Sequence, residues 1–188
     1  ISEIGAREEE LAGKTVLVYG AGAIGSRLAR ICRAFEAHTI GIKRTLSTPN
    51  PDFDEMFTSE NFVDQLSRAD IVVLTCPLTD ATRNVINAEA LLKMRSDAYL
   101  INVARGGCVD AQALVTALQS GQIAGAGIDV TPTEPLEDNS ALWSLPNVIL
   151  TPHTGGETRA YEDRVAAILN DNLGRLWADK SSLYNQIV

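Results

Sequence analysis

Short apolar runs alternate along this chain with segments in which apolar residues recur at helical spacing. The runs are rich in Val, Ile and Leu: TVLVYG, HTIGI, DIVVLTCP, AYLINV, IAGAGIDV and NVILTP. Nearly continuous apolar strands that alternate with helices are typical of a parallel sheet covered on both faces. The pattern therefore predicts an α/β fold class, a doubly wound parallel sheet with helices on both faces.

Helices are predicted between most of these strands. They cover residues 24–35, the segments NFVDQLSRA, AEALLKM and AQALVTALQSG, and a long stretch from about residue 157 to residue 178. Asp110 is a suitable N-cap for the helix that follows it, and Gly121 is a suitable stop. The first segment, ISEIGAREEELAGK, is predicted to be the end of an exposed helix followed by a turn at Gly13 and Lys14.

Composition narrows the range of functions. With 188 residues, 45% of them hydrophobic, the chain is long enough for one domain with a good core. The net charge of −8 argues against a nucleic-acid partner or an anionic membrane surface, and no apolar run has the roughly 18 residues of a membrane span. Cys32, Cys76 and Cys108 lack the CxxC spacing of a metal site, so we expect reduced thiols in a cytosolic setting and no metal.

Gly20, Gly22 and Gly25 form a G-x-G-x-x-G motif between an apolar strand and an amphipathic helix. In dinucleotide-binding proteins the first glycine allows a tight turn, the second lets the backbone approach a pyrophosphate, and the third lets helix and strand pack closely. The helix N-terminus adds free N–H groups that favour an anion. FAD proteins, methyltransferases and ordinary tight turns share the motif, so it supports a dinucleotide site without deciding it.

Two cations follow at the expected end of the second strand. Lys43 lies 18 residues beyond Gly25, close to the ~20 at which an acid would accept hydrogen bonds from the adenosine ribose. Lys43 and Arg44 would instead bind a 2′-phosphate, and the hydroxyls of Thr45 and Ser47 could donate to the same group. The alternative is a solvated strand end that carries ordinary surface cations.

Polar residues stand at three later strand ends, in INVARGG, GIDVTPTEPL and LTPHTGG. Ligands of open α/β sheets bind outside the carboxyl ends of the strands. Four side chains could therefore converge on one cleft: Arg105, Asp129, Glu134 and His153. Taken singly, each has an ordinary alternative as a surface cation, a loop acid or a structural histidine.

The motifs GAGAIG, NVARGG.VD, AGAGIDVTPTEPL and NVILTPHTGG occur in this order and together resemble the D-isomer-specific 2-hydroxyacid dehydrogenases. The resemblance extends from about Leu11 to the terminal YNQIV. It implies a Rossmann dinucleotide-binding fold and an oxidoreductase that transfers a hydride between NADP(H) or NAD(H) and a 2-keto or D-2-hydroxy acid. It also implies a small-molecule substrate, a homodimer paired through this domain, and a cytoplasmic location, with an organelle left open.

Site residues follow from the resemblance. It assigns Arg105 to the substrate's carboxylate and carbonyl, His153 to acid–base catalysis, and Glu134 to holding and charging that histidine. Asp129 would orient the nicotinamide carboxamide. The other implied cofactor-binding residues are Gly20, Gly22, Ala23, Ile24 and Gly25 at the pyrophosphate, Lys43, Arg44 and Thr45 at the 2′-phosphate, Cys76, Pro77 and Thr82 on the adenosine side, Val103 and Ala104 near the nicotinamide, and Gly155.

Departures from the family pattern refine this reading. NAD-using members typically carry Asp where this chain has Lys43, so NADP(H) is expected to be preferred, as in the glyoxylate/hydroxypyruvate reductases. In this family most of a substrate domain precedes the first strand of the cofactor domain, whereas little precedes it here. Residues 1–188 are therefore expected to be a dinucleotide-binding domain, with terminal helices that lead to a substrate domain largely absent from the chain.

Two other classes of function compete. A nucleotide-sensing binding module of the corepressor type, in the same superfamily, would keep the Arg, Glu and His pattern yet act through partners. An S-adenosylmethionine methyltransferase would use the Gly-rich turn but would explain none of Arg105, Glu134 and His153. The acidic composition and the absence of an obvious partner motif favour the enzyme.

Overall fold

The computed structural model describes residues 9–46, 49–180 and 182–185, and it divides the chain into two compact units, Ile1–His153 and Thr154–Val188. The strands of the first unit are β1 (Thr15–Tyr19), β2 (His38–Lys43), β3 (Glu55–Thr58), β4 (Ile71–Leu74), β5 (Tyr99–Asn102), β6 (Gly125–Ile128) and β7 (Val148–Leu150). They pair in parallel to form one sheet in the order β3-β2-β1-β4-β5-β6-β7.

Helices connect most of these strands. The first unit contains α1 (Ala23–Ala34), α2 (Phe62–Gln65), α3 (Ala88–Lys93) and α4 (Ala111–Gln119), together with 3₁₀ turns at Ser59–Asn61, Leu66–Arg68, Gly106–Cys108 and Ala141–Ser144. The second unit contains α5 (Tyr161–Trp177).

The core lies in two apolar layers, because alternate residues of a strand face opposite sides of the sheet. Leu17 of β1 belongs to the larger layer, which also contains Phe62 of α2 and Leu91 of α3. Val18 belongs to the smaller layer, with Ala29 of α1. Helices thus cover both faces, which confirms the predicted doubly wound parallel sheet.

The strand order reverses beside β1. Strands β2 and β3 lie on one side of β1, and strands β4 to β7 lie on the other side. The chain leaves the sheet in opposite directions at such a reversal, and this opens a crevice at the carboxyl ends of the strands. The loops that follow β1 and β4 are therefore the expected borders of a binding site.

The structure differs from the sequence prediction at three elements. The hydrophobic pattern does not predict β3, because EMFT is short, only partly buried and paired with β2 alone at the edge of the sheet. The segment NFVDQLSRA forms α2 and two 3₁₀ turns instead of one helix. Helix α5 begins at Tyr161, later than the predicted start near residue 157.

Several local predictions are confirmed. The Asp110 carboxylate accepts a hydrogen bond of 3.0 Å from the Ala113 amide and caps α4. Gly121, just beyond α4, and Gly13, in the predicted first turn, both have positive φ. The predicted helix end before residue 9 lies outside the described residues.

The three cysteines are free and buried, in agreement with the predicted reduced thiols. Within the described ranges, no helix is long and apolar enough to cross a membrane. The same part of the chain contains no cluster of three or more His, Cys, Asp or Glu side chains that could hold a metal ion.

Gly106 brings two loops of the sheet into direct backbone contact. A Cβ atom on this residue would lie 2.0 Å from the carbonyl carbon of Thr131 and 2.3 Å from the nitrogen of Pro132. Backbone atoms cannot yield as a flexible side chain can, so only glycine fits without a shift of the backbone. The loop after β5 is thereby packed against the loop after β6.

We expect Gly106→Ala to destabilise the protein, since overpacking costs about 1–3 kcal/mol and here the obstacle is backbone. Thermal unfolding followed by circular dichroism should show a Tm several degrees lower. Gly174→Ala in α5 is the control, because no atom lies within 4 Å of the added Cβ and Ala is the better helix former. An unchanged Tm for Gly106→Ala would contradict the close packing of the two loops.

Candidate functional site

The Gly-rich turn after β1 is tight at its ends and open in the middle. Gly20 has a φ of +114°, and a Cβ on it would lie 2.7 Å from the Cys76 amide nitrogen. A Cβ on Gly25 would lie 2.4 Å from the Gly20 carbonyl oxygen and 3.0 Å from Val18 Cγ1. At Gly22 no atom lies within 4 Å of an added Cβ, so this backbone is open to a ligand.

Helix α1 begins at this opening. Its N-cap is Gly22, no side chain caps the first turn, and the first turn contains no acidic residue. Ala23 and Ile24 follow, and the Ile24 side chain is 67% exposed. Uncapped N–H groups and the positive end of the helix dipole favour an anion at this position.

A cleft of about 460 Å³ borders the turn. Its lining includes six residues that the sequence analysis selects, and it adds two more: Ile24, Cys76, Pro77, Val103, Ala104 and Arg105, with Thr75 and Leu78. The Thr75 hydroxyl donates a 2.8 Å hydrogen bond to the Gly20 carbonyl and so fixes the turn to the loop after β4.

Thr82, predicted on the adenosine side of the cofactor, lies in the loop after β4 and is buried. Its side chain is 8% exposed and is not among the residues that line the cleft. The hydroxyl donates to the Pro77 carbonyl at 2.7 Å and accepts from the Thr79 amide at 2.7 Å. In the structure Thr82 therefore holds the loop that presents Pro77.

Lys43 and Arg44 lie exposed at the carboxyl end of β2, as predicted, and Thr45 follows them. Within the described residues neither cation forms an ion pair, so both charges are available to a ligand. Ser47 lies outside the described residues. Gly155 is exposed and belongs to the second unit, which starts at Thr154.

Asn102, which the sequence analysis does not select, shapes the loop that carries Arg105. Its side chain is 1% exposed, and its Oδ1 accepts a hydrogen bond of 3.0 Å from the Ala104 amide. Its Nδ2 donates to the Arg105 carbonyl at 3.1 Å. The Arg105 guanidinium donates to the Ala104 carbonyl at 2.6 Å and is otherwise exposed to the cleft.

Glu134 and His153 form a pair at the ends of two neighbouring loops. His153 Nδ1 lies 2.8 Å from Glu134 Oε2, and Glu134 Oε1 accepts a hydrogen bond of 3.1 Å from the Thr131 amide. Contact with His153, then with Thr131, lowers the pKa of Glu134 below its ordinary value, and the Arg105 charge adds to this effect. The carboxylate is therefore ionised at neutral pH.

A second cavity, of about 700 Å³, adjoins this pair. Glu134, His153, Asp129 and Trp143 are among the residues that line it. The Thr151 hydroxyl donates a 2.6 Å hydrogen bond to Asp129 Oδ1 and fixes a carboxylate that is 9% exposed. Arg105 lines the other cleft, but its charge helps to lower the pKa of Glu134. Glu134 therefore interacts electrostatically with both of the other predicted catalytic side chains.

His153 has a backbone φ of +56°. Non-glycine residues seldom adopt this left-handed conformation, which costs roughly 1–3 kcal/mol when the surroundings impose it. Together with the Glu134 contact, this conformation fixes the position of the imidazole.

Residues 2–155 match the family model described as D-isomer specific 2-hydroxyacid dehydrogenase, NAD binding domain. The chain belongs to this family. Among the curated relatives, a glyoxylate reductase of Thermofilum pendens is 40% identical over 87% of this chain and 48% of that protein. A glycerate dehydrogenase of Methylorubrum extorquens is 39% identical over 91% of this chain and 52% of that protein.

Solved structures agree with this family assignment. A D-isomer specific 2-hydroxyacid dehydrogenase from Xanthobacter autotrophicus Py2, in complex with NADPH and MES, matches with a TM-score of 0.88 and 34% identity. The match covers 98% of this chain and 74% of that one. The predicted Rossmann fold is thus confirmed, while the chain spans about half the length of the curated relatives that it matches.

We expect Asn102→Ala to loosen the Arg105 loop, because removal of a buried hydrogen-bonding side chain leaves unpaired backbone groups and costs about 1–3 kcal/mol. Hydrogen exchange of the Ala104 amide should accelerate. Asn147→Ala is the control: the Asn147 amide also donates to two backbone carbonyls, those of Leu118 and Ala124, away from this loop. Equal exchange at Ala104 in both variants would show that Asn102 does not hold the loop.

Proposed function

We propose that the protein binds NADP(H) and takes part in hydride transfer between this cofactor and a 2-keto or D-2-hydroxy acid. The observation that carries the proposal is the Glu134–His153 pair, which stands at the carboxyl edge of the sheet together with the Arg105 charge. Family membership supports it, because the relatives named above are oxidoreductases that act on such acids. The corepressor alternative has no comparable support.

The residues at the carboxyl edge fit a dinucleotide. The open backbone at Gly22 and the uncapped start of α1 suit the pyrophosphate, and the cleft that Val103 and Ala104 line suits the nicotinamide. Asp129, held by Thr151, presents an acceptor to a carboxamide. When bound, the nicotinamide supplies or accepts the hydride.

Three side chains would serve the acid substrate. Arg105 has an exposed guanidinium that can bind a carboxylate through two parallel hydrogen bonds. His153 uses Nδ1 for Glu134, which leaves Nε2 to give a proton to the substrate oxygen or to accept one from it. The Glu134 carboxylate lies 2.8 Å from Nδ1 and holds the imidazole in place for this proton transfer.

NADPH is expected to bind more tightly than NADH, because Lys43 and Arg44 are exposed cations where an acid would repel a 2′-phosphate. A charge-assisted contact contributes roughly 1.5–3 kcal/mol, so a preference of about tenfold or more is expected. Fluorescence titration measures both affinities. Lys43→Asp should reverse the preference while Lys93→Asp, on α3, should not; equal affinities in the unchanged protein would overturn the proposal.

In the enzyme that contains this chain, we expect His153→Ala to abolish keto-acid reduction and Glu134→Gln to retain part of it. The His153 contact keeps the pKa of Glu134 below its ordinary value, so the acid limb of the pH–rate profile that protonation of this carboxylate causes should disappear in Glu134→Gln. Glu137→Gln, a nearby exposed acid, is the control. The same pH profile in the unchanged protein, Glu134→Gln and Glu137→Gln would show that Glu134 does not act on His153.

A homodimer remains a prediction, based on the resemblance and on apolar residues near the chain ends. Of these, Leu11 is not free for such a contact, because it is partly buried against the smaller apolar layer. Leu173 and Leu176 of α5 are 37% and 52% exposed, which supports a further contact for this helix. Light scattering at micromolar concentration should give twice the monomer mass, and a monomer would contradict the prediction.

The cytoplasmic location is likewise a proposal.

A further inference from the structure

Cys76 and Cys108 form a thiol pair at the wall of the smaller cleft. Their Sγ atoms lie 4.0 Å apart although the residues are 32 positions apart in the chain. Cys76 is 6% exposed and lines the cleft, and Cys108 is fully buried beside it. The acid–base chemistry proposed above uses neither sulfur.

The surroundings of the pair favour one thiolate and one thiol. The hydrogen bond from Cys76 lowers the pKa of the Cys108 thiol below its ordinary value, and the backbone at Arg105 acts in the same direction, while burial opposes them. The pKa of Cys76 is raised by its contact with Cys108 and by burial. A thiolate next to a protonated thiol is the usual arrangement of a cysteine pair that reacts with oxidants.

We propose that Cys76 and Cys108 are a modification site, at which a small peroxide converts the two thiols to a reversible disulfide. A disulfide bond is about 2.05 Å long, so the sulfurs must approach by about 2 Å. Contacts restrain the backbone at both residues: Gly20 packs on the Cys76 amide, and the Cys108 carbonyl accepts a 3.1 Å hydrogen bond from Ile86. The approach therefore comes from side-chain rotation.

Burial of the Cys76–Cys108 pair limits which oxidants can reach it. Only the cleft side of Cys76 offers a route to the pair, so hydrogen peroxide can reach it while a bulky disulfide cannot. Cys76 passes its proton to the Cys108 thiolate across their 4.0 Å contact, and the Cys76 sulfur attacks one peroxide oxygen. The O–O bond breaks, and a sulfenic acid on Cys76 and one water form once the released hydroxide takes a proton. The second thiol then attacks the sulfenic sulfur, the S–O bond breaks, and the S–S bond and a second water form. Two thiols are oxidised and one peroxide is reduced to two waters.

The disulfide would join two loops of the site. Cys76 follows β4, and Cys108 ends the 3₁₀ turn that begins directly after Arg105. A ligand in the smaller cleft would cover the exposed side of Cys76 and slow the oxidation. This corollary rests on the proposed function, whereas disulfide formation in the ligand-free protein does not.

The test treats the reduced, ligand-free protein with hydrogen peroxide, blocks the remaining thiols with N-ethylmaleimide under denaturing conditions, and maps the cross-linked peptides by mass spectrometry. We expect the unchanged protein and the control Cys32→Ser to lose two thiols, to yield the Cys76–Cys108 link, and to recover both thiols with dithiothreitol. Cys32 is a suitable control because it is also buried but lies in the other apolar layer.

Cys76→Ser and Cys108→Ser should form no intramolecular link. If one of these variants does not fold, the cross-linked peptides of the unchanged protein still show which two cysteines are joined. Three results would overturn the proposal: no loss of thiols, oxidation of one cysteine to a sulfinic acid without a link, or a link to Cys32.

With NADPH at about ten times its Kd, the rate of disulfide formation should fall about tenfold. An unchanged rate with the link intact would support the disulfide and contradict the placement of the cofactor.

Discussion

Direct contact between backbone segments, with glycine at each contact, determines the geometry of the candidate site. Gly20 packs on the amide of Cys76, Gly25 packs on the carbonyl of Gly20, and Gly106 packs on Thr131. These contacts join the turn after β1 to the loop after β4, and the loop after β5 to the loop after β6. Because no side chain stands between the segments, their separation cannot be adjusted by a change of rotamer. The positions of Arg105 and Glu134 relative to each other depend on the last of these contacts.

The extent to which the sequence predicts this structure follows from what each strand buries. Strands β1 and β4 contribute buried residues to both apolar layers and therefore appear as continuous apolar runs, which the hydrophobic pattern identifies. The edge strand β3 is half-buried and pairs on one side only, so its four residues carry no such signal.

The same distinction applies to the site. Arg105 and His153 are polar residues just beyond strand ends, where they stand out in the sequence. Asn102 and Thr151 hold those loops through buried and half-buried hydrogen bonds, yet in the sequence they read as the last residues of apolar strands. The signal that could have identified Asn102 is a side chain with both a donor and an acceptor at the end of a buried strand, where unpaired backbone groups are costly.

The Glu134–His153 pair contributes little to folding. Both side chains are more than two-fifths exposed, at 41% and 46%, and exposed ion pairs contribute about 0–1 kcal/mol. The positive φ of His153 opposes folding by roughly 1–3 kcal/mol. Stability therefore does not account for the arrangement, which agrees with the role proposed for His153.

The two exposed cations at the end of β2 would also affect the rate at which an anionic ligand binds. The chain carries a net charge of −8, so most of its surface repels an anionic dinucleotide, and Lys43 and Arg44 form a local region of opposite sign. Such a region attracts a phosphate over about one Debye length, roughly 8–10 Å at moderate ionic strength. Added salt would then slow the encounter with the ligand far more than it would speed the departure of a ligand already seated at the Gly-rich turn.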